Sequence, residues 1–159
     1  MKVVKKLIIT LLLLLGGCSI VLKGCLTNPP DSVFIKKFHD NKPKLELLKN
    51  MIIEDKDLFY IGRYPAEARG ISELRKSQYL ALLDELKIHH LGKEIDEETK
   101  GIIVSFGLSR RGGSLGGSMK RYYWYSAPPS KMDFILYGYL ETHLTHIEDN
   151  WYLALQSHS

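Results

Sequence analysis

Six histidines, a glycine-rich basic segment and four consecutive aromatic residues are the parts of this 159-residue chain whose side chains could do chemistry. His143 and His146, with Glu141, Glu148 and Asp149 nearby, would place two metal ligands on one face of a helix. On a strand an odd spacing sends them to opposite faces, and the surrounding pattern reads as strand, so surface histidines are expected and no metal site is assigned. His89 and His90 are adjacent and diverge in the same way. From Arg110 to Gly117 the chain reads Arg, Arg, Gly, Gly, Ser, Leu, Gly, Gly. Such a segment can offer backbone N–H groups to a phosphate, and Gly112 to Gly116 formally matches a Gly-x-Ser-x-Gly nucleophile elbow. Both motifs need a strand that leads into a helix, whereas here one strand leads to another. A hairpin loop is therefore expected, with no catalytic residue, no nucleotide and no cofactor.

Tyr122, Tyr123, Trp124 and Tyr125 carry more information. Side chains alternate along a strand, so the four cannot share one face. Tyr122 and Trp124 lie on the side of Lys120, and Tyr123 and Tyr125 on the side of Met119. The lysine marks the first side as the one that meets solvent. Tyr122, Trp124 and Lys120, with Arg110 and Arg111 close in sequence, are thus the candidate partner-binding residues, because tyrosine, tryptophan and arginine are enriched in binding hot spots. The alternative is a sheet packed on both faces.

The elements that must position these residues can be read from periodicity. Asp31 or Ser32 can cap a helix with Phe34, Ile35 and Phe38 on one face. Pro43 interrupts it, Asn41 can cap a new start, and Leu45, Leu48 and Ile52 continue the stripe, which predicts helices at 32–40 and 42–55, joined by a kink. Leu58 to Gly62 reads as a short strand and Arg63 to Gly70 as a loop. Ser72 can cap an amphipathic helix through Lys87, with Leu74, Leu82, Leu83 and Leu86 inward. Gly92 to Lys100 is polar and turn-like. Ile102, Val104, Phe106 and Leu108 alternate with smaller or more polar residues, as in a strand with one buried face. Ser118 to Ser126 is a second strand, ended by Pro128 and Pro129. Leu140 to Ile147 and Trp151 to Gln156 flank Glu148, Asp149 and Asn150 as a hairpin. Helices first and antiparallel strands afterwards predict an α+β fold, N-terminal helices packed on a C-terminal sheet of about four to five strands.

The N-terminus has a chemistry of its own. Lys2, Lys5 and Lys6 precede the apolar run Leu7 to Leu15, and Gly16, Gly17 and Cys18 follow. A basic, an apolar and a small-residue part together make an export signal. The run from Leu7 to Leu22 would reach only about 24 Å as a helix, against about 30 Å of hydrocarbon, which disfavours an uncleaved membrane span. Leu15, Gly16, Gly17, Cys18 resemble the lipobox of bacterial lipoproteins. That resemblance implies diacylglyceryl transfer to the Cys18 thiol and cleavage before it. Residues 1–17 are then a signal peptide, 18–30 an anchor and a tether ended by Pro29 and Pro30, and 31–159 one periplasmic domain. Lipidation uses the Cys18 thiol, which leaves Cys25 without an internal disulfide partner. Cleavage also removes three lysines and no acid, so 22 basic residues against 18 acidic become 19 against 18. That balance gives no support for nucleic-acid binding. Ser19 after the cysteine points, by resemblance to enteric sorting rules, to the outer membrane facing the periplasm, with inner-membrane anchoring the alternative.

The helix with Leu45, Glu46, Leu48, Met51, Ile52, Glu54 and Asp55, the Tyr-rich strand after a Gly/Ser loop, and the ending Ile147, Glu148, Asp149, Asn150, Trp151, Tyr152, Leu153 resemble a group of small uncharacterised lipoproteins from Gram-negative bacteria. The resemblance implies a shared fold and no particular activity. The function expected is a lipid-anchored periplasmic binding protein, attached to the membrane through Cys18 and recognising a protein partner, as an immunity or inhibitor protein against a toxin delivered to the periplasm would. A lipoprotein that maintains the envelope by binding cell-wall polymer or anionic lipid is the second reading, and a small hydrolase the third.

Overall fold

The computed structural model describes residues 29–62, 70–96, 99–113, 116–127 and 141–158, without the side chains of 109–117, 141–142 and 157–158. The signal and anchor expectations, Cys18 and Cys25 included, lie outside the described residues, as does most of the segment from Arg63 to Gly70. The chain divides into two compact units, Met1–Val33 and Phe34–Ser159.

The elements run α1 (Asp31–Glu54), β1 (Tyr60–Gly62), α2 (Glu73–Leu86), β2 (His90–Ile95), β3 (Ile102–Gly113), β4 (Gly116–Tyr125), β5 (Glu141–Glu148) and β6 (Trp151–His158). The strands form one sheet in the order β1-β2-β3-β4-β6-β5, and every neighbouring pair is antiparallel. The fold is α+β with the helices ahead of most of the sheet, as expected, but the described sheet has six strands rather than four to five.

The extra strand is β2, where a polar turn was expected. Its Lys93 is only 7 % exposed. The Lys93 ammonium donates to the carbonyls of Ile52 (3.0 Å), Asp55 (2.8 Å) and Lys56 (3.0 Å) at the end of α1. A helix C-terminus leaves carbonyls without partners and carries partial negative charge, and a cation there satisfies both. A residue that looks like surface in the sequence is thus a cap in the fold.

The two N-terminal helices expected around Pro43 are one. α1 runs through Pro43 without a break, and Asn41 donates its side-chain N–H to the carbonyl of Lys37 rather than capping a new start. Phe34, Phe38, Leu45, Leu48 and Ile52 form one buried stripe along it, and that burial outweighs the single hydrogen bond the proline removes. α2 begins at Ser72, whose hydroxyl accepts from the N–H of Arg75, and closes with Lys87 in the left-handed region (φ 56). Leu74, expected inward, is 72 % exposed, and Tyr79 is the buried residue instead.

The main core lies between the helices and one face of the sheet. Phe38, Leu48, Tyr79 and Leu83 meet Leu91, Val104, Phe106, Tyr122, Trp151 and Leu153 there. A smaller cluster of Ile103, Tyr123, Tyr125 and Ala154 closes the opposite face near β4 and β6. At the last hairpin Asp149 takes the left-handed conformation (φ 45), which aspartate tolerates, and Lys42 on α1 pairs with Glu148 beside it.

Candidate functional site

Register decides where the expected binding residues stand. Tyr122 pairs with Phe106, and Trp124 with Val104 and Trp151, all on the side that faces the helices. Tyr122 is 1 % exposed and donates its hydroxyl to the carbonyl of Phe34 at 2.6 Å. Lys120 is 4 % exposed, with its ammonium 4.6 Å from the centre of the Phe34 ring. Trp124 is half-buried beneath Lys49, whose ammonium lies 4.7 Å from the ring. The solvent-facing side expected for these three residues is therefore the helix-covered side. A lysine can bury its stem and set its charge over an aromatic face, so its presence does not mark solvent. Tyr123 and Tyr125, on the other side, are each 2 % exposed, so both faces of β4 are closed.

Arg110 and Arg111 do not sit in a loop. β3 continues to Gly113 and β4 starts at Gly116, and the arginines pair with Met119 and Ser118. Their side chains, and Ser114, lie outside the described residues. His143 and His146 pair with Leu155 and Tyr152 and are exposed on opposite faces of β5. Among the described residues, no group of three or more metal-ligating side chains comes together.

The described residues do form a concavity of about 640 Å³, within the size range of small-molecule sites. It lies at the β1 end of the sheet on the side opposite α1 and α2, lined by Phe59, Tyr60, His90, Glu94, Ser105 and Arg121 among others. Glycines make it. In one row across the strands Gly62 pairs with His90, His90 with Gly107 and Gly107 with Arg121; in the next, Tyr60 pairs with Gly92, Gly92 with Ser105 and Ser105 with Tyr123. With no side chain at Gly107, the His90 ring lies down on the sheet: a Cβ there would stand 2.2–2.6 Å from three of its atoms. At Gly92 a Cβ would come within 2.9 Å of the Ser105 hydroxyl oxygen. The floor between Tyr60 and Ser105 is consequently backbone.

Tyr60 stacks on His90, ring centres 5.6 Å apart and planes 23° from parallel, and remains 48 % exposed. Burial pushes the imidazole of His90 down to about 4, helped by the charges of Arg121 and His89. Near neutral pH this histidine is uncharged, with one nitrogen to donate and one to accept. Arg121 runs along β4, its Nε 2.9 Å from the Met119 sulfur and its Nη1 3.4 Å from the Tyr123 hydroxyl. Ser105 turns toward Gly92 while His90 turns onto Gly107.

Sequence reasoning missed Tyr60, His90, Glu94 and Arg121 as a group. One signal was present: a glycine inside a strand marks a close approach or an open floor, but it shows only once 92–95 is read as strand. Phe59 (56 % exposed), Tyr60 (48 %) and Ile95 (61 %) are all among its lining residues, the Tyr60 ring on the face of Gly92 and Glu94 and the Phe59 ring 5.1 Å from the Lys93 ammonium. Among the described residues no helix is long and apolar enough to cross a membrane. Searches of protein-family models, curated proteins and solved structures find no match to this chain.

Proposed function

We propose that the chain is a lipid-anchored binding protein of the bacterial envelope that recognises its ligand on the side of its sheet opposite α1 and α2. The observation that carries the binding half is the concavity at the β1 end, where a stacked and half-exposed Tyr60 stands among polar side chains over a backbone floor. Exposed apolar surface that is rimmed by polar groups is a mark of recognition sites. The anchor half rests on Cys18 and the export signal before it.

The test has two parts. Metabolic labelling with a fatty acid should mark the chain, and Cys18→Ala should abolish the label and leave an unprocessed precursor. A labelled, shortened product in that variant overturns the anchor. Envelope extract passed over the purified chain should then lose a component that Tyr60→Ala does not retain. Equal retention by both proteins overturns recognition at the concavity.

A further inference from the structure

The concavity has three properties that together select a class of ligand. Its aromatic surface is preorganised: the Tyr60 ring is held on one side by His90, and its hydroxyl end sits over Gly62, where a Cβ would stand 3.2 Å away. A ring fixed before binding loses little entropy when a ligand is laid on it. The walls combine one carboxylate, Glu94, with one guanidinium, Arg121, so no single sign of charge dominates. The third charged residue, Lys93, directs its ammonium into the carbonyls at the end of α1. Among the described residues this lining offers an anion no concentrated positive field and an acyl chain no deep apolar slot.

Flat aromatic surface beside hydrogen-bonding groups, without net charge, complements a molecule with an apolar ring face and a rim of hydroxyls. We infer that this concavity binds an uncharged saccharide unit, laid against Tyr60 over the Gly92 floor, with its hydroxyl and amide groups taken by Glu94, Ser105, His90 and Arg121. The inference rests on the proposed role as an envelope binding protein and names its ligand as a glycan. An N-acetylated amino-sugar chain suits the site best, because its amide adds a donor and an acceptor to the hydroxyl rim.

The test uses the whole chain in detergent micelles, titrated separately with tetra-N-acetylchitotetraose and with maltotetraose and followed by calorimetry and by tyrosine fluorescence. Saturable binding of the amino-sugar oligomer is expected, weakened about tenfold or more by Tyr60→Ala and little changed by Tyr60→Phe, with melting temperatures unaltered. Binding of maltotetraose equal to that of the amino sugar keeps the saccharide site but overturns the preference for the amide. If neither oligomer binds, or Tyr60→Ala binds like the parent, the saccharide inference is overturned. Tyr60-dependent retention of an envelope protein or of lipid vesicles, with no oligomer binding, overturns the glycan while leaving a binding protein. Loss of all Tyr60-dependent retention overturns both.

Discussion

The two faces of this one sheet are built on opposite principles. On the helix-covered face the polar groups that go inside are tied to named partners. Tyr122 donates to a carbonyl, Lys93 to three, and the indole N–H of Trp151 to Glu46 at 2.8 Å, while Glu46 also holds Lys49 over Trp124. On the other face the apolar cluster among the described residues is small, and toward β1 glycines replace side chains until backbone forms the floor. The first face is a core, where buried polar groups must be satisfied. The second leaves polar and aromatic groups within reach of a ligand. The proposed binding site and the core can therefore share a strand, because adjacent residues belong to different faces.

The sharpest way to break this comparison is Trp151→Ala. Trp151 is 1 % exposed and packs against Phe38 and Phe106 with ring centres 5.2 Å away. Its loss should cost about 3 to 5 kcal/mol, read from chemical denaturation. A melting temperature within a degree or two of the parent's would make Trp151 peripheral and the helix-covered core wrongly placed.

Lys93→Met should have the next largest effect. It keeps the stem and removes the donor, which takes the Lys93 hydrogen bond from the carbonyls of Ile52 and Lys56, while that of Asp55 keeps the Leu58 N–H, at a cost of about 1 to 3 kcal/mol. A neutral outcome in the same denaturation experiment would mean that water or another donor serves that helix end equally well.

Acid should separate the faces further. The folded value of His90, about 4, lies below its ordinary 6.5, so the unfolded chain takes up a proton that the folded one refuses. Its contribution is fully present above pH 6.5 and is lost as pH falls toward 4. In His90→Gln the stability profile over that window should be flatter. At lower pH the helix side responds. Desolvation alone would raise the Asp55 carboxyl, but hydrogen bonds from Arg75 (2.9 Å) and Tyr79 (2.7 Å) outweigh it and hold it below its ordinary 3.8. Asp55 thus stabilises the fold above pH 3.8 and ceases to as pH drops further. A profile in which His90→Gln and the parent run parallel from pH 6.5 to 4 removes His90 from the buried floor.

The smallest expected stability change belongs to Tyr60→Ala. Half-exposed on the side opposite α1 and α2, it should shift stability by no more than about 0.5 kcal/mol, even where it abolishes binding. A large loss of stability there would make Tyr60 part of the core and blur the distinction between the faces.

Much of the architecture was legible because burial leaves a period. The stripe of Phe34, Phe38, Leu45, Leu48 and Ile52 indicated helix on either side of Pro43, and the Ser72 cap and the Trp151 hairpin were read where they stand. The division into two helices at Pro43 does not occur because the cost of a proline is local, whereas the gain from a continuous buried stripe depends on the sheet beneath. β2 was missed because Gly92, Lys93 and Glu94 are polar or small by type, and only their partners make them strand: Ser105 and Tyr60 around Gly92, and the α1 carbonyls around Lys93.

The alternation along Tyr122, Tyr123, Trp124 and Tyr125 was determined by the sequence itself, since a strand has a period of two whatever surrounds it. The sequence likewise determined that the helices precede most of the strands. Which face of the aromatic strand would be covered was decided only by the tertiary structure. Local patterning assigns residues to two sides, but it carries no label for the side on which α1 and α2 settle. The concavity was decided at the same level, because it needs Gly62 and Gly107 brought into one row across the strands and Gly92 into the next. Those residues are up to 45 positions apart in the chain (107 − 62 = 45), and only backbone pairing sets them side by side.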